Sequence, residues 1–75
     1  MRWTDYIEQK PEVLRGKPVI KGTRIAVDLI LEKIGNGEKI EGILKAYPHL
    51  TVDSILACIS YGASLARNET LIDVS

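Results

Sequence analysis

The spacing of apolar residues changes at Ala26, and the change divides the chain. Beyond it, Val27, Ile30, Leu31 and Ile34 fall at i, i+3, i+4 and i+7, the stripe of an amphipathic helix. Asp28 sits near the start of that helix, where the macrodipole favours a carboxylate. Gly35-Asn36-Gly37 ends it, because glycine and asparagine take the left-handed conformation that closes helices. Ile40, Ile43, Leu44 and Tyr47 repeat the spacing, and this second helix must end at Tyr47, since Pro48 disfavours helical geometry in the residue before it. Thr51 is a good N-cap for a third helix, in which Val52, Ile55, Leu56, Ile59, Ala63 and Ala66 keep one face apolar. Cys58, Tyr61, Gly62 and Leu65 form a second, smaller stripe on the same helix. A helix with two apolar stripes contacts two things. The first stripe is assigned to the chain's own core. The second, Cys58, Tyr61, Gly62 and Leu65, is expected at the interface of a homodimer.

Before Ala26 no helical period is present. Trp3, Tyr6 and Ile7, with Asp5 and Glu8 between, suit a short edge strand, and Lys10-Pro11-Glu12-Val13-Leu14 suits one helical turn, with proline where a first turn tolerates it. From Gly16 to Ile25 two glycines and a proline set the backbone path, Val19-Ile20 reads as a strand and Gly22-Thr23 as a bend. The expected organisation is an N-terminal β and loop element over 1–25, a three-helix domain over 26–68, and a tail over 69–75 in which Leu71 to Val74 is strand-prone. The fold class is mainly α, a three-helix bundle of the helix-turn-helix kind preceded by a small β element.

Composition narrows the picture. Seventy-five residues make one domain, and a core of that size rarely supplies more than a few kcal/mol. Cys58 is the only cysteine and His49 the only histidine, so a disulfide is excluded and a structural zinc is not expected. Extra stability should come from self-association or a partner chain. With no leader-like segment and no run of 18 apolar residues, the chain is expected in the cytoplasm and away from membranes. Net charge is zero, yet Arg15, Lys17, Lys21 and Arg24 meet no acid within their stretch and give it a local +4.

Candidate chemistry follows from that stretch and from the turn Tyr47-Pro48-His49-Leu50. In a helix-turn-helix the second helix enters the major groove by its N-terminal residues, here Thr51, Val52, Asp53, Ser54 and Ala57. Base edges are usually read by Arg, Lys, Asn or Gln, and the third helix has none before Arg67. Asp53 would repel phosphate. Thr51, Ser54 and Arg67 join Arg15, Lys17, Lys21 and Arg24 as candidate contacts to DNA or to a protein partner, against the plainer reading of a solvated basic face. Gly16 to Thr23 lacks the spacing and the Lys-Ser or Lys-Thr of a phosphate-binding loop. No nucleophile with its base, carboxylate pair or metal triad is legible, so neither catalysis nor a cofactor is expected.

The run from Arg15 to Ile25, followed by Val27-Asp28-Leu29-Ile30 and by Tyr47-Pro48-His49-Leu50-Thr51, closely resembles domain-of-unknown-function family 433 over about Tyr6 to Arg67. Ala26 departs from the proline that often opens the first helix there. The resemblance implies a homeodomain-like three-helix fold after a small β element, often dimeric, and a role as an antitoxin of the VapB type paired with a PIN-like ribonuclease toxin; with the basic stretch beside it, operator DNA is a second expected target. It carries over no catalytic residue. A stand-alone helix-turn-helix regulator and a structural dimerisation module are the alternative readings.

Overall fold

The computed structural model describes the backbone of residues 1–73 and the side chains of residues 1–67. Strand β1 (Ile7–Glu8) pairs antiparallel with β2 (Val19–Ile20), with Ile7 opposite Ile20 and Glu8 opposite Val19. Val19 also bridges Ala26 on its other side, so the chain doubles back after β2. The Ile20 N–H donates to the Ile25 carbonyl at 3.0 Å and the Val27 N–H to the Pro18 carbonyl at 3.0 Å. Pro18 needs only an acceptor there, the one backbone role it retains. Gly22, at φ 76°, occupies the position where a type II turn demands a positive φ. Thr23 locks the bend: its hydroxyl donates to the Ile20 carbonyl at 2.7 Å and accepts the Ile25 N–H at 2.9 Å.

Two N-terminal expectations need correction. Trp3–Asp5 is a single 3-10 turn, so only Ile7–Glu8 of the expected edge strand pairs. The turn brings the Trp3 ring edge-on to Tyr61, centroids 4.8 Å apart, a burial that an extended start would forgo. Lys10 to Leu14 is not helical. Lys10 to Val13 forms a β-turn closed by the Val13 N–H on the Lys10 carbonyl at 2.9 Å, with Pro11 at its second position. A left-handed turn over Leu14–Gly16 then returns the chain to β2.

Helix α1 (Val27–Gly35) stops as its sequence demands. The Glu38 N–H reaches the Lys33 carbonyl and the Gly37 N–H the Ile34 carbonyl, with Gly37 at φ 93°, the paired bonds of a Schellman cap. A Lys33–Glu38 ion pair at 3.5 Å sits over it. Helix α2 (Ile40–Ala46) ends one residue before Tyr47, whose φ −129° and ψ 76° are non-helical, as a residue before proline requires. A short turn leads into α3 (Val52–Asp73). Helix α3 runs through Glu69 to Asp73, so the expected strand-like tail is helical up to that point; Val74 lies outside the described residues.

One core joins all these elements. Ile7 and Ile20 from the sheet, Val27 and Ile30 from α1, Ile43 from α2 and Leu50, Ile55, Ala57 and Cys58 around α3 form a single buried cluster. The N-terminal element is thus a wall of the helical core. The assignment of the two α3 stripes changes relative to the sequence reading: of the first stripe only Ile55 is buried in the core, and most of the second stripe packs within the chain. Cys58 is fully buried in its own chain, Tyr61 packs on Trp3, and a Cβ on Gly62 would lie 3.2 Å from a Leu31 methyl. These three are not free for a dimer interface, and of that set Leu65 alone is exposed. Val52, Leu56 and Ile59 are exposed by 47, 38 and 40%. The physical reason is the third wall: the N-terminal 3-10 turn and sheet cover the Cys58–Tyr61 side of α3, which three helices alone would leave open.

Candidate functional site

The connector from Arg15 to Arg24 is rigid, but its charge is not all available. Lys17 Nζ donates to Asp28 Oδ2 at 2.9 Å, and that bond holds the Asp28 carboxyl below the ordinary carboxylate range despite some desolvation. Glu8 comes across the sheet to accept the Gly22 N–H at 3.3 Å and to sit 3.7 Å from Lys10. Among the described residues, Arg15, Lys21 and Arg24 take part in no ion pair.

Arg15 is placed in an unusual way. Leu14, Arg15 and Gly16 have φ of 47°, 58° and 84°, three consecutive left-handed residues of which only the last is glycine. A residue with a Cβ in this region costs about 1–2 kcal/mol. The turn is closed by the Gly16 N–H on the Val13 carbonyl at 3.0 Å and braced by Gln9 Nε2 on the Gly16 carbonyl at 3.0 Å. It leaves Arg15 exposed and Leu14 beside it exposed as well.

Lys21 faces a different surface. It lines a cavity of about 210 Å³ with Asp5, Thr23, His49, Thr51 and Ser54, between the connector bend and the turn before α3. Thr51 and Ser54 are occupied there by each other. The Ser54 N–H donates to Thr51 Oγ1 and the Thr51 N–H to Ser54 Oγ, both at 3.1 Å, while the Ser54 hydroxyl donates to the Thr51 carbonyl at 2.7 Å. This is a reciprocal cap in which serine does the work usually given to Glu or Gln. Ser54 is buried. Both hydroxyls start α3, and burial withdraws Ser54 from contact, whereas Thr51 is exposed and lines the cavity.

Lys17 belongs to a third place, a groove of about 280 Å³ lined by Pro18, Val27, Asp28, Leu31, Tyr61 and Leu65. The structure thus joins Lys21 to Thr51 and Ser54, sends Lys17 to the α1–α3 groove, and leaves Arg15, Arg24 and Arg67 exposed and outside both. Asp5 beside Lys21 has no linear signal in the sequence, because it arrives from the far end of the chain; His49, read from sequence as a lone turn residue, lines the same cavity.

No group of three metal-ligating side chains occurs among the described residues. Burial pushes the Cys58 thiol up to about 11, which makes it a poor nucleophile at neutral pH. No helix among the described residues is long and apolar enough to cross a membrane.

Comparison with known proteins gives two findings. Residues 7–62 match the family model described as "Protein of unknown function (DUF433)". Over 51 residues the chain is 31% identical to "Uncharacterized protein y4eO" of Sinorhizobium fredii (strain NBRC 101917 / NGR234). That alignment covers 68% of this chain but only 23% of the relative's length. No solved structure matches the chain.

Proposed function

The chain belongs to the DUF433 family, and on that footing we propose that it is a non-enzymatic, cytoplasmic antitoxin resembling the VapB type, which binds and neutralises a PIN-like ribonuclease. The observation that carries this reading is Arg15, exposed, without an ion pair among the described residues, and held at φ 58° in the left-handed turn Leu14–Gly16. Strain of this kind survives where the surroundings over-determine it, and it concentrates at functional positions. A PIN-like nuclease gathers carboxylates to hold its metal. A guanidinium offered on a stiff turn meets such a cluster with two parallel charge-assisted bonds, which a lysine cannot reproduce. Leu14 beside it supplies apolar contact, and Lys21 and Arg24 add two further cations on the connector that take part in no ion pair among the described residues.

Co-expression with a PIN-like nuclease, should one be encoded in a neighbouring gene, tests the reading. Co-purification of the two and relief of toxicity are expected, and both should fail for Arg15→Glu. A nuclease that neither co-purifies nor loses toxicity sinks the proposal.

A second reading, operator binding, is favoured by the α2–turn–α3 connection and by Lys21 at the mouth of the adjoining cavity. Cations on the connector would then contact phosphates, which position a protein without reading sequence. Binding of that kind weakens with salt by a log–log slope of about −0.9 per neutralised phosphate. A gel shift that is absent, or flat in salt, removes it.

A further inference from the structure

Val52, Leu56, Ile59, Ala63 and Ala66 are all exposed and recur at alternating intervals of four and three residues. That is the narrow seam of a coiled coil, not the broader stripe of a helix facing a globular core. At about 100° per residue the seam lies on the far side of α3 from Ser54, Cys58 and Tyr61, so using it disturbs nothing in the core. We propose that α3 pairs antiparallel with α3 of a second copy, placing Leu56 against the second copy's Ala66 and Ile59 against the second copy's Ala63.

Three observations favour a second copy in this orientation. A two-fold axis makes every contact occur twice, and in this register Leu56 and Ile59 each meet an alanine, the large-against-small alternation that close packing favours. Asp53 and Arg67 lie 14 residues apart and so share one flank of the helix. In an antiparallel pair like flanks face each other, and the same register sets Asp53 opposite the second copy's Arg67, twice. A parallel pair would set unlike flanks together and lose both contacts. Association also supplies the extra burial that a 75-residue chain needs. The face differs from the Cys58–Leu65 stripe that the sequence suggested, and the pairing is independent of what the connector binds.

Light scattering on the full chain is the test. The wild-type mass should be twice 8.3 kDa, Ile59→Glu should be monomeric, and Leu65→Glu should leave the dimer intact. Asp53→Arg should weaken the dimer roughly tenfold, and Asp53→Arg with Arg67→Asp should restore it. Far-UV circular dichroism confirms folding. If Ile59→Glu unfolds, the surface charge series still decides. A monomeric wild type, a dimeric Ile59→Glu, or a double charge variant as weak as the single one overturns the proposal.

Discussion

Arg15 carries a cost that its side chain does not explain. Arg15→Gly removes the left-handed penalty of about 1–2 kcal/mol and gives back about 0.5–1 kcal/mol in unfolded-chain entropy. The variant should therefore be about 0.5 kcal/mol more stable in urea, while losing its partner. That opposition is the mark of strain kept for function. Gly62 makes a contrasting case. A methyl group there would press on Leu31 at 3.2 Å, but that contact is the free end of a side chain bordering the α1–α3 groove, which has room to move. Gly62→Ala should then gain most of the helix propensity difference, about 0.5–1 kcal/mol, read from the same unfolding midpoint. Thr51→Ala removes one half of the reciprocal cap and should cost about 1 kcal/mol. Cys58 links stability to alkaline pH. Its folded value, about 11, lies above the ordinary 9.0, so the stability that its burial contributes is complete below about pH 9 and is lost as the pH rises through 11. Cys58→Ala should remove that part of the alkaline decline in a series of denaturant midpoints.

At the scale of elements, the three helices, the stops of the first two and the start of the third were legible because each rests on local chemistry: the 3.6-residue period, the Gly37 cap, the pre-proline Tyr47 and the Thr51 cap. The bend at Gly22–Thr23 was legible for the same reason. What could not be read was which α3 stripe faces inward. Both stripes are apolar, and the choice is made by Trp3, Ile7 and Ile20, which reach α3 from the start of the chain. The left-handed turn at Leu14–Gly16 was equally hidden, since nothing in Leu-Arg-Gly announces positive φ before its last residue. In the candidate site, the basic residues were visible but their partners were not. Asp28, 11 residues on, ties down Lys17, and a serine takes the place of the usual carboxylate in the Thr51 cap. Asp28→Asn should therefore release Lys17 at a stability cost below about 1 kcal/mol, the range of an exposed pair. It should also make binding to an acidic partner tighter, measurable by calorimetry.

Across the whole molecule, one core holds two surfaces apart. The far face of α3 is apolar, heptad-spaced and nearly free of cations, which suits a second copy. The connector edge is polar and carries Arg15, Lys21 and Arg24, which suits an acidic partner. A helix-turn-helix connection without base-reading side chains in the first turns of its second helix is a scaffold that displays this edge. Ile43→Ala, at the fully buried centre, should cost about 2–5 kcal/mol and abolish binding at both surfaces together, whereas surface changes should separate them. The central claim, that Arg15 is held under strain in order to engage a nuclease's carboxylates, is tested most directly by the dissociation constant of the purified chain with its PIN-like nuclease, compared between wild type and Arg15→Gly. The account predicts an affinity at least about tenfold weaker in a variant that is no less stable, since a charge-assisted pair of this kind is worth about 1.5–3 kcal/mol; an unchanged dissociation constant would contradict it.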